Sequence, residues 1–251
     1  MNIILTIYFF IIGIVFGSFF NVIGMRVPQQ KFLESQRSYC PNCKHTLTWY
    51  ELIPIVSYIV QAGKCRKCKK KISPIYPLIE LCTGILFAYS YYTFGYQLEM
   101  ITALLLVSLL IIVVVSDLRY MLVPNTILLV FLPLFISMRI LVPLDPWYDP
   151  IIGAVLGYVL LACIIILSRG GMGAGDMKLM AVLGVVLGWE GVLLTFFLAS
   201  LYGTIISGIL LIFHVVERTK AIPFVPFIAM GALTTYFWGN DLINWYVHNF
   251  F

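Results

Sequence analysis

Apolar runs of near-bilayer length recur from one end of this 251-residue chain to the other, and nothing constrains its fold more. A bilayer core is crossed by about 20 apolar residues in helical form, with about 17 tolerated. Runs that meet or approach that length are Ile3–Ile23, Leu78–Phe94, Met100–Ser116, Thr126–Val142 and Ile151–Ser168. After a Gly-rich turn come Met177–Leu187, Val192–Val216 and Ile222–Trp238. In hydrocarbon each backbone N–H and C=O must find a partner inside the protein, which makes these runs helices. The expected fold is all-α, a polytopic transmembrane helical bundle of about eight helices. The sixth run is short. It either continues through Gly188 or is a partial span enclosed by the bundle. Hydrophobic residues at 61% against charged residues at 11% exclude an ordinary soluble globule. The first run has no basic residue before it and no small-residue cleavage pattern after it, so it is expected to be a permanent helix rather than a signal peptide.

One stretch breaks the pattern. Val27 to Pro77 is polar, with two cysteine pairs and a Lys/Arg cluster, and reads as a small extramembrane domain between the first two spans. The chain is thus expected to divide into residues 1–26, a first transmembrane helix; 27–77, a four-cysteine domain; and 78–251, the remaining membrane domain. Of 16 Lys and Arg residues, ten lie between Arg26 and Lys71. Basic loops stay cytoplasmic, which places the N-terminus outside. Arg119, Arg169, Lys178, Arg218 and Lys220 then fall inside, and only Arg139 lies toward the outside. The outer loops carry Glu99, Asp145, Asp149, Glu190 and Asp241. The net charge of +5 is therefore a topology signal, and the partner it implies is membrane lipid, not nucleic acid. The expected location is a cell membrane, crossed many times. Nothing in the apolar faces selects an oligomeric state.

Cys40-Pro-Asn-Cys43 and Cys65-Arg-Lys-Cys68 form two C-x2-C turns with 21 residues between them. Each turn aims two thiolates at one point, and two turns complete a tetrahedral zinc site. Disulfides are the alternative, disfavoured by a cytoplasmic location, while Lys64, Arg66 and Lys67 favour thiolate. Four cysteines close the site, so the zinc would be structural. His45 is then a surface residue, and Cys82 and Cys163 are small hydrophobes within helices.

Asp117 ends the apolar run Ile101–Ser116, and Asp176 lies in the turn GMGAGD. A carboxylate beside lipid is a functional hypothesis by default. Charge bias puts both at the cytoplasmic face. Each also has a structural role open to it: Asp117 as an interfacial anchor paired with Arg119, Asp176 as the N-cap of a helix starting at Met177. Pro124 and Asn125 begin the next helix. Gly170, Gly171, Gly173 and Gly175 leave little bulk before Asp176 and admit another backbone. Two carboxylates that meet share a proton. One can then activate water while the other polarises a carbonyl. His214 and His248 have no evident partners for rival chemistry.

Eight stretches occur in an order that resembles the type IV prepilin peptidases, membrane aspartic proteases of the G-x-G-D type. They are GSFFNV at Gly17–Val22, RSYCPNC, LIPIVSY, GKCRKC, YPLIE at Tyr76–Glu80, SDLRYMLVPN, GAGDMKL at Gly173–Leu179 and IPFVPFIAMG at Ile222–Gly231. Val123 stands where the family commonly has Ile, and Val225 where Gly is common. The resemblance implies that Asp117 and Asp176 are the catalytic dyad, with Gly173, Gly175 and Lys178 in the active-site loop. It implies prepilin or pseudopilin substrates with a basic leader, cut at the membrane's inner face. It further implies N-methylation of the new terminus with S-adenosylmethionine, the cysteine domain being associated with the methylating form. Asn21, Arg26 and Glu80, at the inner ends of the first two spans, could line the cofactor region; capping and snorkelling are their bland roles. Glu34, Glu51 and Glu217 are candidates to receive a basic leader. Two other classes remain open at this point. One is an intramembrane protease of the presenilin or signal peptide peptidase kind; the other is a non-catalytic zinc-bearing scaffold or transporter. No internal repeat of the transporter kind is evident.

Overall fold

The computed structural model describes residues 2–30, 37–168, 171–213 and 222–250. These form α1 (Ile3–Arg26), a short 3-10 turn (Trp49–Leu52), α2 (Val56–Val60), α3 (Ile75–Phe94), α4 (Leu98–Tyr120), α5 (Asn125–Leu141), α6 (Asp149–Leu167), α7 (Ala174–Ile212) and α8 (Val225–Phe250). The fold is all-α. Among the described residues the only β pairing is two isolated bridges, Tyr39 with Thr46 and Lys64 with Lys71. By length and composition α1, α4, α6 and α7 each suffice to cross a membrane, and α5 is a shorter apolar helix. The chain divides into two compact units, Met1–Val115 and Ser116–Phe251, with the boundary inside α4.

In the first unit α1 packs on α3 through small residues. Gly13 and Gly17 stand against Thr83, Gly84 and Glu80, so close that a Cβ at Gly17 would lie 2.9 Å from the Glu80 Cα. Lipid tails are as apolar as leucine, so helices in a bilayer gain by close backbone approach rather than by hiding hydrophobic surface. Gly24 makes the same approach to Ile112 and Val115 of α4. Phe9 stacks on Tyr91 at 4.9 Å between ring centres. The opposite face of α1, with Ile4, Ile7, Ile11 and Val15, is exposed and, apart from the Tyr8 hydroxyl, apolar, as suits a lipid-facing surface.

In the second unit α6 meets α7 at a similar seam, Gly153 and Gly157 lying against Gly184 and Met180. The runs Met177–Leu187 and Val192–Val216 prove to be one element, α7, broken at a single residue. Gly188 has φ +71 and ψ −177, outside the helical region and accessible at low cost only to glycine. A helix broken in a membrane leaves backbone groups orphaned, and two side chains take them up. Arg139 of α5 donates from Nε and Nη2 to the Val186 carbonyl at 3.1 and 2.7 Å. Asp149, opening α6, accepts from the Trp189 N–H at 3.2 Å. The one basic residue expected toward the outside is thus buried and occupied by a helix end. Beyond the break, α7 packs on α8, with Gly231 against Thr195 and Ala199 and Gly203 against Phe227. The last helix starts at Val225 and continues to Phe250, well past the expected Trp238.

A methyl group at position 188 would meet the Asp149 carboxylate and would also hold the strained backbone angle. Gly188→Ala is expected to cost about 1–3 kcal/mol of stability. The measurement is the denaturant midpoint of the detergent-solubilised protein; an unchanged midpoint would show that the break does not depend on glycine.

Candidate active site and metal centre

The segment SDLRYMLVPN folds into the turn between α4 and α5. Met121 adopts φ +52 and donates its N–H to the Asp117 carbonyl at 2.8 Å, ending α4. The Ser116 hydroxyl reaches forward to the Leu122 carbonyl at 2.5 Å. These bonds fix Asp117 in the last turn of α4, with only 5% of its surface exposed. Its Oδ2 accepts a hydrogen bond from the N–H of Val225, the first residue of α8, at 3.1 Å.

Asp176 does not cap a helix starting at Met177. Gly173 is the N-cap, in extended conformation, and α7 begins at Ala174, which puts Asp176 in the first turn. There the aligned peptide dipoles favour a carboxylate. Its backbone N–H donates to the Gly173 carbonyl at 3.1 Å, and the residue is 8% exposed. A Cβ at Gly175 would stand 2.9 Å from that of Val123, so the first turn of α7 lies directly on the α4–α5 turn. Asp117 and Asp176, both buried, therefore stand on the two elements that meet at this contact. Gly173 is exposed, with the Asp176 carboxyl the nearest group to its face, which leaves room there for a passing chain. Lys178 turns away to Asn125, donating from Nζ to its Oδ1 at 3.0 Å and tying the two motifs together. Gly170 and Arg169 lie outside the described residues, as do Glu34, His214, Glu217, Arg218 and Lys220.

The other candidate centre lies in the first unit. The two C-x2-C turns fold alike. Cys40 donates its N–H to the His45 carbonyl and receives that of Lys44, both at 2.9 Å; Cys65 does the same with Lys70 and Lys69, again at 2.9 Å. The residue after each pair, Lys44 or Lys69, has positive φ. The four sulfurs lie within 4.8 Å of one another, with Cys40 to Cys68 at 3.8 Å and Cys43 to Cys65 at 3.9 Å. Zinc–sulfur bonds of about 2.3 Å in a tetrahedron put sulfurs about 3.8 Å apart, so the four thiols fit a zinc ion as they stand. None is in a disulfide. Peptide N–H groups aim at the sulfurs. Those of Cys43 and Asn42 lower the Cys40 thiol, and that of Lys70 leads in bringing Cys68 down to about 6. Cys43 receives the His45 N–H, yet burial and the neighbouring sulfurs push it up to about 11. Thiolates so closely packed would call for a cation between them.

His45 is not part of the cluster. Its Nε2 sits 3.4 Å from Glu51 Oε2. Glu51 also accepts from the Thr48 N–H at 2.9 Å and hydroxyl at 2.8 Å, a capping box that holds its carboxyl below the usual range. It is buried and engaged, and so is unavailable to a leader peptide.

Asn21 and Glu80 share the α1–α3 seam. The Asn21 amide donates to the Tyr76 carbonyl at 3.3 Å, while its Oδ1 is buried without a partner. Glu80, one turn along α3, accepts from the Ile55 N–H at 2.8 Å and from Ser18. Arg26 lies apart from this pair and donates to the Arg37 carbonyl at 3.2 Å. Sequence patterning missed the two backbone donors, Val225 and Ile55, because an N–H has no residue type.

Comparison with known proteins agrees with this architecture. Residues 11–94 match the model of the bacterial peptidase A24 N-terminal domain, and residues 104–208 that of the type IV leader peptidase family. A prepilin leader peptidase/N-methyltransferase of Bacillus subtilis is 42% identical over 238 residues, covering 95% of this chain and 96% of that protein. Proteins of the same description from Aeromonas hydrophila and Pseudomonas aeruginosa are each 32% identical over 270 residues. The first comparison covers 96% of this chain and 93% of the relative, the second 94% and 91%. No solved structure gives a significant match. The chain belongs to the type IV leader peptidase family.

The sulfur geometry generates a direct expectation. Purified protein should carry about one zinc per chain by elemental analysis. Cys40→Ser and Cys68→Ser should each lose most of it and unfold at lower temperature. Full-length protein free of zinc, or variants that keep it, would be incompatible with a closed four-thiolate site.

Proposed function

We propose that this chain removes the leader peptides of prepilins or pseudopilins at the cytoplasmic face of a cell membrane, with Asp117 and Asp176 as its catalytic pair. The observation that supports the assignment is that two nearly enclosed carboxyls stand on elements in direct contact, Asp117 in the last turn of α4 and Asp176 in the first turn of α7. One carboxylate takes a proton from water as it attacks the scissile carbonyl; the other, protonated, donates to the carbonyl oxygen. The proton then passes to the leaving amine as the tetrahedral intermediate collapses. Gly173 gives the substrate backbone access to Asp176, Gly175 lets α7 approach the α4–α5 turn, and Lys178 positions α7 through Asn125. The N–H of Val225 holds Asp117 in one orientation throughout. The charge bias supports an N-terminus outside and both carboxyls inside, where a basic leader would arrive.

We further propose that the freed N-terminus is methylated, as the names of the relatives describe for those proteins. S-adenosylmethionine supplies an electrophilic methyl group on a sulfonium. The α1–α3 seam suits such a step because it holds two acceptors, the orphaned Asn21 Oδ1 and the Glu80 carboxyl, able to receive the N–H groups of a cationic amine or cofactor. Arg26 is a contact to the cysteine domain in this scheme. The zinc, bound by Cys40, Cys43, Cys65 and Cys68, would brace that domain and take no part in bond making.

Asp117→Asn and Asp176→Asn keep size and polarity but cannot relay a proton. Each should slow leader removal from a co-expressed prepilin by about 10²- to 10⁴-fold, followed by the mobility shift of the processed pilin. Wild-type processing by either variant would end the dyad assignment.

Methyl-labelled cofactor should place label on the new N-terminus of processed pilin. Glu80→Gln should reduce that label while processing continues. Clean processing by the wild type with no label would remove the methyltransferase assignment.

A further inference from the structure

The segment between the two cysteine turns has a surface that zinc binding does not explain. Trp49, Leu52, Val56, Ile59 and Val60 lie outside the long helices, yet all are exposed. Trp49 and Val60 are 77% and 78% open, as much as Ile4 on the lipid-facing side of α1 at 74%. They are not scattered. Val56, Ile59 and Val60 are spaced i, i+3, i+4 on α2, so they share one face, and Leu52 is exposed at the end of the preceding 3-10 turn. Ser57 and Tyr58 turn inward, the Tyr58 hydroxyl reaching the Ile72 carbonyl at 3.5 Å.

Beside this apolar face stands a cationic one. Residues 37–71 hold eight Lys and Arg against one Glu, the buried Glu51. Lys64, Arg66, Lys67, Lys69, Lys70 and Lys71 are all exposed. The two faces are joined: the Arg66 guanidinium lies over the Tyr50 ring at 5.3 Å.

The depth of the segment is also fixed. The Ile55 N–H bonds to Glu80, the sixth residue of α3, and Glu80 also takes a bond from Ser18, eight residues before the end of α1. At 1.5 Å per residue these points lie about 8 and 12 Å inside the ends of the two helices. The turn between the 3-10 segment and α2 is pinned alongside α1 and α3 rather than held beyond their ends.

We infer that Trp49–Val60 is a membrane-surface anchor: its apolar face enters the head-group boundary while the lysines and arginines of the second cysteine turn bind anionic phospholipid. Aromatic and aliphatic side chains bordered by Lys and Arg are the composition of an interfacial element, and clustered basic residues beside a bilayer bind anionic head groups. The cysteine domain is thereby held flat against the leaflet, with the zinc site as its rigid frame.

The test uses the full chain with Ile59→p-benzoylphenylalanine, reconstituted in nanodiscs of phosphatidylcholine with or without phosphatidylglycerol and irradiated. Intact-mass analysis should show a phospholipid adduct. Its yield should fall severalfold without phosphatidylglycerol, and equally when Lys67, Lys69 and Lys70 are all changed to Gln with zinc content unchanged. Cross-links to residues 116–251, or to a second copy of the chain, would overturn the inference by naming a different occupant. Equal lipid yields in both compositions would overturn the anionic-lipid assignment.

Discussion

Every interruption of a helix in a bilayer must be repaired by the protein itself, because no water is present to receive the freed N–H and C=O groups. The second unit is organised around such repairs. At Gly188 the carbonyl before the break goes to Arg139 and the N–H after it to Asp149. Where α4 ends, Met121 and the Ser116 hydroxyl close the turn. Where α8 begins, the N–H of Val225 goes to Asp117. Most of the charged groups enclosed in this unit are therefore engaged with helix ends, and Asp117 serves both as a repair and as half of the carboxyl pair.

The apolar runs were legible because their lengths match a bilayer, and the four-cysteine cluster was legible because C-x2-C spacing is a local code. What escaped is instructive. Met177–Leu187 and Val192–Val216 look separate because polar Trp189-Glu190 interrupts the apolar pattern, but hydropathy cannot tell a loop from a one-residue break with both ends bonded. Asp176 looks like an N-cap, since Asp favours that position; the helix instead starts at Ala174, three residues before the expected Met177, with Gly173 as its extended N-cap. The task of Arg139 has no sequence signal, its partner being a carbonyl 47 positions away. Glu51 looked available and is enclosed by its own capping box.

The first unit solves a different problem. Its cysteine domain is too small to enclose a core of its own, and Trp49 to Val60 expose the side chains a core would need. Two turns of the same construction, one around Cys40 and the other around Cys65, present their sulfurs to a common centre. A metal held there would join the two turns, which are also linked by Lys70 donating to Asn42 at 3.0 Å, and Glu80 fastens the intervening loop to α3 through Ile55.

The bond from Val225 to Asp117 has a consequence for how the site tolerates change. The donor belongs to the main chain, so the bond itself asks for no particular side chain at 225, and the buried valine there supplies the N–H. Only proline lacks one. The chemistry of the bond thus sets no residue type at 225, whereas the enclosed side chain is set by the packing around it, so one position answers to two separate demands.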